Sequence, residues 1–253
     1  MIRGQGSTET LGQLDGCARG QALGDHGPAQ GMRPGVIMGQ YILSGELPSS
    51  RPVCEMDLFA PQSELLPLPF DDGTLAMLPQ LPLRLDNETV LARLIAETDW
   101  RSEHISLWGK SFLQPRLSAW QGSAAYRYSG LTMEASPFSP LVLEIKAVVE
   151  SVCAHSFNSV LLNYYRDQRD SMGMHSDDEA ELGPEPVIAS VSFGALRTFV
   201  LKHKTSKRSI KLDLRSGSLL LMGGPTQRHW QHGINKLSRP CGARVNLTFR
   251  TIG

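Results

Sequence analysis

The sequence lacks an excess of charge of either sign, because its 253 residues hold 25 lysines and arginines against 25 aspartates and glutamates. That balance excludes a strongly basic protein that wraps nucleic acid, although a protein that touches a few phosphates remains compatible with it. No apolar run approaches the roughly 20 residues of a membrane span, and no apolar stretch follows Met1 as in a secretory signal. We therefore expect a cytoplasmic protein without membrane association.

The sequence also lacks paired cysteines. Its four cysteines lie far apart and form no CxxC motif. This spacing excludes a thiolate zinc site of the common kind and gives no sign of a disulfide framework. We expect reduced thiols.

Glycine is concentrated at one end of the chain. The first 50 residues hold 11 of the 24 glycines and show no hydrophobic periodicity. Such a segment cannot offset the entropy lost on ordering. We predict a disordered glycine-rich tail over residues 1–55 and a folded domain over residues 56–253.

Hydrophobic periodicity predicts two helices and then many strands. Regular structure is expected to begin after Pro79 and Pro82, with a helix capped at residue 86 or 87 and a second helix capped by Ser139. Residues 100–138 show no steady period, which predicts irregular structure or short hairpins. From Ser159 onward, alternating segments predict short strands. We predict a mainly β fold with flanking helices (α+β) and a closed or double-sheet core such as a jelly roll.

The motif His175-Ser-Asp177 is the first candidate for chemistry. In an extended segment its imidazole and carboxylate point to the same side. The motif alone is weak, since it occurs by chance in many polar loops, but a later histidine would complete the two-histidine, one-carboxylate set of non-haem Fe(II) oxygenases. His232, His229 and His203 compete for that third position, and spacing does not decide among them.

The last predicted strand, RVNLTFR, is the second candidate. Alternation places Arg244, Asn246, Thr248 and Arg250 on one face and apolar residues on the other. The polar face is either exposed to solvent or lines a site in which guanidinium groups bind a carboxylate such as that of 2-oxoglutarate. Upstream, Asn163 and Tyr165 share a strand face, and they either belong to a core strand or bind the same carboxylate.

Five segments of the sequence resemble the AlkB family of Fe(II)- and 2-oxoglutarate-dependent nucleic-acid dealkylases. They are NYYRDQRDSMGMHSDDE, IASVSFGALRTFVLKHK, SGSLLLMGG, RVNLTFR and QPRLSAWQGSAAYRYSGLTM. The resemblance covers about residues 113–251, and more weakly residues 57–112. It implies a double-stranded β-helix, which is a form of jelly roll.

The resemblance also implies roles for individual residues. His175, Asp177 and His232 would bind iron, while Asn163, Tyr165, Arg244, Asn246, Thr248 and Arg250 match the 2-oxoglutarate contacts. Arg250 would meet the far carboxylate and Arg244 the end that chelates iron. Residues from about 100 to 138 would form the nucleotide-recognition lid, whose Tyr126 and Tyr128 would contact a flipped base. Glu179, which lies outside the lid, would contact the exocyclic edge of that base.

The implied activity is oxidative demethylation of bases such as 1-methyladenine and 3-methylcytosine in DNA or RNA. It would use Fe(II), 2-oxoglutarate and O₂ and release formaldehyde, succinate and CO₂. We expect a single-stranded substrate and a monomeric enzyme. The enzyme would be located in the cytoplasm, or in the nucleoid or nucleus if its substrate is DNA. The alternatives are a 2-oxoglutarate-dependent hydroxylase or demethylase of a protein, lipid or small molecule, and a non-catalytic jelly-roll binding module.

The predicted tail leads to a first test. A chain of residues 56–253 should match the full chain in melting temperature and turnover, because a segment without apolar periodicity contributes little packing. Thermal unfolding and succinate release on both chains are the measurements. A large loss of either in the shorter chain would show that the tail packs on the domain.

Overall fold

The structure, a computed structural model, describes residues 64–107, 110–123, 126–128, 131–133 and 135–253. All of them belong to one compact unit, Glu55–Gly253. The predicted disordered tail, residues 1–55, lies outside the described residues, so that its boundary stays a prediction.

Fifteen strands, three α-helices and one 3₁₀ turn make up the regular structure of the described residues. In chain order they are β1 (Leu66–Pro67), β2 (Thr74–Leu78), α1 (Asn87–Glu97), β3 (His104–Leu107), β4 (Lys110–Leu113), β5 (Leu117–Gly122), β6 (Tyr126–Tyr128), β7 (Leu131–Met133), α2 (Pro140–Cys153), β8 (Ser159–Tyr165), β9 (Met172–His175), the 3₁₀ turn (Ala180–Leu182), β10 (Ile188–Gly194), β11 (Arg197–His203), β12 (Ser209–Leu214), β13 (Leu219–Gly223), α3 (Thr226–His229), β14 (Trp230–Ile234) and β15 (Arg244–Arg250).

Two antiparallel sheets form the body of the domain. The major sheet has seven strands in the order β1-β2-β13-β10-β15-β8-β5, and the minor sheet has four in the order β12-β11-β14-β9. Two further hairpins, β3-β4 and β6-β7, lie in the segment between α1 and α2. The predicted double-sheet β architecture with flanking helices is confirmed.

The two long helices begin where their capping residues predict. The Asp86 carboxylate accepts a hydrogen bond from the Thr89 N–H at 2.8 Å, and the Ser139 hydroxyl accepts one from the Val142 N–H at 3.4 Å. Pro140 occupies the first turn of α2. A backbone N–H there would have no acceptor within the helix, so the lack of an N–H in proline costs no hydrogen bond.

Side-chain alternation divides the core into two clusters. On β15, Val245, Leu247 and Phe249 join the cluster that includes buried side chains of α1 and α2. The second cluster contains Leu161, Phe199 and residues of both sheets. The polar residues of β15 therefore face away from the helices, toward the minor sheet, and this arrangement positions the site.

The prediction of short hairpins for residues 100–138 is confirmed in β3-β4 and β6-β7, but other strands were not predicted. Strands β1 and β2 precede Pro79, where no regular structure was expected, and β5 joins the major sheet although residues 100–138 showed no period. These strands form the two ends of the major sheet, and the local sequence pattern does not report their pairing with neighbouring strands. No helix of the described residues is long and apolar enough to cross a membrane.

The packing of α2 yields a matched pair of stability predictions. Leu141 is 2% exposed in the core and Leu143, two residues later, is 49% exposed. Leu141→Ala should lower the free energy of unfolding by about 2–5 kcal/mol, because it leaves a cavity. Leu143→Ala should change it by less than about 0.5 kcal/mol. Urea unfolding measures both, and equal losses would contradict the packing of this helix.

Candidate functional site

One group of metal-ligating side chains stands out among the described residues. Ligand atoms of His175, Asp177 and His232 all lie within 4.8 Å of one another. His175 ends β9, Asp177 follows two residues later, and His232 lies directly opposite His175 on the paired strand β14. Strand pairing thus brings together residues that are far apart in the sequence.

The other two candidate histidines lie outside this group. His203 has its Nε2 atom 3.4 Å from Asp72 Oδ2, and its ring is parallel to that of His229 with centroids 6.1 Å apart. On β11, His203 is paired with Trp230 and Leu201 with His232. The competing histidines, on β11 and just before β14, therefore lie outside the group of ligand atoms that contains Asp177.

Each member of the group is held by a different contact. The Nδ1 atom of His175 is 2.9 Å from the Gly173 carbonyl, which only accepts hydrogen bonds, so this contact places the proton on Nδ1 and leaves Nε2 as the ligand atom. The ring of His232 stacks on Phe199 with centroids 5.1 Å apart. The backbone N–H of Asp177 donates to Gln227 Oε1 at 3.0 Å.

Burial and neighbouring charges set the protonation of the group. Burial disfavours the Asp177 anion, but Arg250 and the two histidines outweigh burial and lower the pKa of this carboxyl to about 2. Burial and the neighbouring His175 lower the pKa of His232 to about 3, and burial also lowers the pKa of His175. An anionic carboxylate and two neutral imidazoles are the forms that bind a metal.

The three side chains fit an iron ion. The Oδ2 atom of Asp177 is buried and has no hydrogen-bond partner among the described residues, while His232 Nε2 lies 3.8 Å from it and His175 Nε2 lies 3.7 Å from Oδ1. A buried acceptor facing two imidazole nitrogens matches the two-histidine, one-carboxylate set that binds Fe(II) on one face and leaves other positions open.

The polar face of β15 lines the same cavity. Arg244, Asn246, Thr248 and Arg250 are all at most 7% exposed, so the interpretation as a solvent-exposed face is wrong. A cavity of about 30 Å³ is bordered by these four residues, by Asn163 and Tyr165 on β8, and by the three metal-site residues. A larger cavity of about 620 Å³ lies beside α1 and α2 and contains none of the predicted site residues.

Arg244 fits an anionic ligand. Its Nη2 donates to Ser192 Oγ at 2.9 Å and its Cζ lies 5.1 Å from the centre of the Tyr165 ring. Its Nε and Nη1 are buried without a hydrogen-bond partner in the described part of the chain. Burial lowers the pKa of this guanidinium. Because a buried cation without a counter-ion is costly, a carboxylate such as that of 2-oxoglutarate matches this position.

The positions of the two arginines favour the opposite assignment of their roles. Arg250 Nη2 donates to Asp177 Oδ1 at 2.9 Å, so Arg250 lies beside the metal ligands. Arg244 lies at the opposite end of β15, paired with Tyr165 across the sheet. The resemblance implied the opposite order. Which arginine lies near Asp177 depends on the direction of β15 relative to β9, and that direction follows from the pairing of distant strands.

Several residues of the site were missed at the sequence level. Arg116 Nε donates to Asn163 Oδ1 at 2.7 Å, and Asn246 Nδ2 donates to Ser190 Oγ at 2.9 Å. Ser192, Phe199 and Gln227 contact Arg244, His232 and Asp177 as described above. The alternation of Ser190 and Ser192 on a predicted strand was one available signal. Arg116 and Phe199 lie in segments that carry the resemblance but had no role assigned to them, and Gln227 lies outside those segments.

The predicted base contacts are described only in part. The backbone of Tyr126 and Tyr128 lies on β6, which is paired with β7, but their side chains lie outside the described residues. Glu179 is partly buried and immediately precedes the 3₁₀ turn. Their roles toward a base stay predictions.

The fold and the metal group define a class: a double-sheet β protein with a two-histidine, one-carboxylate site beside buried arginines. These arginines, Arg244 and Arg250 of β15, are called the arginine wall below. Comparison with known proteins agrees, because the profile of the 2OG-Fe(II) oxygenase superfamily matches residues 75–250. The chain therefore belongs to the 2OG-Fe(II) oxygenase superfamily, and its relatives are members of the AlkB family.

Two of these relatives are named for their chemistry. Alpha-ketoglutarate-dependent dioxygenase alkB homolog 3 of Rattus norvegicus is 43% identical over 173 residues, which are 64% of this chain and 59% of the relative. DNA oxidative demethylase ALKBH2 of Homo sapiens is 42% identical over 158 residues, which are 58% of this chain and 60% of the relative. The chain thus spans about 60% of the length of these relatives.

A solved structure supports the fold alone. The structure of OsALKBH1 superposes with a TM-score of 0.52 at 15% identity and covers 73% of this chain and 99% of that one.

The metal group leads to a prediction with a neighbouring control. Asp177→Ala should abolish Co(II) binding and turnover. It should also lower the melting temperature, because Arg250 loses its buried partner, while the apolar jelly-roll core, which does not depend on the metal, keeps the chain folded. Asp178→Ala is the control, since the Asp178 side chain is 62% exposed and contacts Lys204 at 3.3 Å. Co(II) titration and thermal unfolding measure both variants. Retained binding in Asp177→Ala would show that the ligand set is wrong.

The arginine wall leads to a second prediction. Arg244→Lys should raise the KM for 2-oxoglutarate about 10- to 100-fold, because lysine keeps the charge but loses one charge-assisted hydrogen bond of about 1.5–3 kcal/mol. Saturating 2-oxoglutarate should restore part of the rate, and oligonucleotide affinity should stay unchanged. The exposed Arg228 supplies the control, Arg228→Lys. An unchanged KM with weaker oligonucleotide binding would place this face against nucleic acid.

Proposed function

We propose that the chain is an oxidative demethylase of N-alkylated bases in nucleic acid. The observation that carries the proposal is the His175, Asp177 and His232 group beside the buried, incompletely paired Arg244. The nucleic-acid substrate is supported by relatives whose names describe DNA oxidative demethylation.

One part of the site would hold the iron and another part would hold the cosubstrate. Iron, with 2-oxoglutarate and O₂, supplies oxidation of a C–H bond and yields succinate and CO₂. His175, Asp177 and His232 would hold the iron, and Arg244 with Tyr165 would hold the cosubstrate carboxylate far from it. Burial of both halves excludes water from the reacting centre. A methyl group hydroxylated on a ring nitrogen forms a hemiaminal, which releases formaldehyde and restores the base.

The hairpin of β11 and β12 carries several lysines, and one of them contacts the loop that follows β9. Such a basic surface suits a phosphate backbone. Lys204 Nζ lies 3.3 Å from the Asp178 carboxylate, next to the ligand Asp177. Lys202 and Lys211 are exposed on the outer face of β11 and β12 and form no ion pair with any described residue. Two exposed lysines on this outer face would add a modest, salt-dependent affinity for nucleic acid.

The decisive experiment measures succinate and formaldehyde together. The purified chain is given oligonucleotides carrying 1-methyladenine or 3-methylcytosine, as DNA and RNA, single- and double-stranded. Equal release of both products with the methylated strands, absent with unmethylated strands, is the expected result. Succinate release only with a protein or small molecule would favour that hydroxylase class, and no turnover with any substrate would favour a binding module.

We further infer a single-stranded substrate and a monomeric enzyme. A base must leave the duplex stack to reach a buried centre, and a single strand avoids that cost. Its location would be cytoplasmic, or nucleoid or nuclear if DNA is the substrate. Comparison of rates on single and double strands, and light scattering for the mass, test these two inferences.

The hairpin lysines have their own test. Replacing both Lys202 and Lys211 by alanine should weaken binding of single-stranded oligonucleotides and flatten its salt dependence, because each lost phosphate contact removes a slope of about 0.7. Lys236→Ala, which changes an exposed lysine outside the hairpin, is the control. Binding at several salt concentrations is measured by fluorescence anisotropy. An unchanged slope in the double variant would exclude this face as the phosphate contact.

A further inference from the structure

The pairing of β9 with β14 contains one extra residue. His232 is opposite His175 and Ile234 is opposite Met172, with a register shift between the two pairs. Between them β14 has one residue, Gly233, whereas β9 has two, Gly173 and Met174. This arrangement is a β-bulge on β9.

The bulge decides which face of the sheet His175 occupies. With a regular ladder from the Ile234–Met172 pair, His232 would be opposite Met174, and His175 would point to the other face. The extra residue shifts the pairing by one, so that both imidazoles lie on the face of Asp177, with ring centroids 4.3 Å apart. The two-histidine site thus depends on the bulge.

Gly233 is the residue that leaves room for the bulge. A Cβ at this position would lie 2.9 Å from the Met172 carbonyl oxygen and 3.0 Å from the Gly173 carbonyl oxygen. Both atoms belong to the backbone of β9, so that neither can rotate away as a side chain would. A larger residue would have to push β9 from β14.

The same bulge also orients the His175 ring. The Gly173 carbonyl accepts the hydrogen bond from His175 Nδ1 at 2.9 Å, and this contact directs Nε2 toward Asp177. Displacement of β9 would therefore change both the position of His175 and the orientation of its ring.

We propose that Gly233 is a positioning residue for the iron site, which acts through the β9 bulge on His175. Gly233 also borders the small cavity beside the metal group, and the role proposed here depends on its contact with the backbone of β9. The inference rests on the iron site of the proposed function and not on the identity of the substrate.

The test compares Co(II) binding by the full chain and by Gly233→Ala. Loss of support for a ligating histidine commonly costs 10- to 100-fold in metal affinity, so we expect at least a tenfold weaker Co(II) affinity and a shifted Co(II) d–d spectrum. The control is Gly223→Ala on β13, where a Cβ would lie 3.9 Å from Thr74 Cβ, an ordinary contact. Its affinity and spectrum should match those of the unaltered chain.

A compensating variant separates positioning from general damage. Deletion of Gly173 removes the extra residue and leaves His175 opposite His232 in a regular ladder. The deletion also removes the carbonyl that holds His175 Nδ1, so the deletion alone should weaken Co(II) binding, but Gly233→Ala should cost little more in that background. A double variant that binds Co(II) about as well as the deletion variant supports the proposal, even if Gly233→Ala alone does not fold. Unchanged affinity and spectrum in Gly233→Ala, or failure of the deletion to reduce its effect, would overturn it. Absence of Co(II) binding by the unaltered chain would instead overturn the iron site itself.

Discussion

The contact between Arg250 and Asp177 joins the two sheets at the site. Arg250 ends β15 in the major sheet, and Asp177 follows β9 in the minor sheet. Their side chains are 2% and 0% exposed, with Nη2 and Oδ1 2.9 Å apart. Breaking such a buried pair by removing one partner is strongly destabilising. The metal ligands and the arginine wall therefore form one electrostatic unit, and a change in either half affects the other.

The alternation of side chains along β15 makes that contact geometrically possible. This strand lies between β10 and β8 in the major sheet, and its apolar face packs on the cluster of α1 and α2. A register slip of one residue would turn Arg244 and Arg250 into that apolar cluster. Burial of Val245, Leu247 and Phe249 thus fixes the direction of the arginines.

The sequence predicted the features that depend on local pattern, and it left open those that depend on pairing between distant segments. Side-chain alternation was sufficient to predict which residues share each face of β15. The capping residues were sufficient to predict where both long helices begin. Spacing could not choose among His203, His229 and His232, because that choice follows from the register of β14 on β11 and β9. The bulge opposite Gly233 and the hydrogen bond from Arg116 to Asn163 also depend on pairing between distant segments, so the sequence did not predict them.

Charge balance explains why this site suits iron and 2-oxoglutarate together. The guanidinium of Arg197 is buried against the backbone carbonyls of Asp167, Asp170 and Asn235, and Arg250 is paired with Asp177. Arg244 has a hydroxyl and an aromatic ring as neighbours, but no carboxylate in ion-pair contact among the described residues. A divalent cation alone would add two positive charges to this buried region, and a dianion alone would add two negative ones. Bound together they add no net charge, so each lowers the electrostatic cost of burying the other. We therefore expect the two to bind cooperatively, with the iron at Asp177 and the far carboxylate at Arg244.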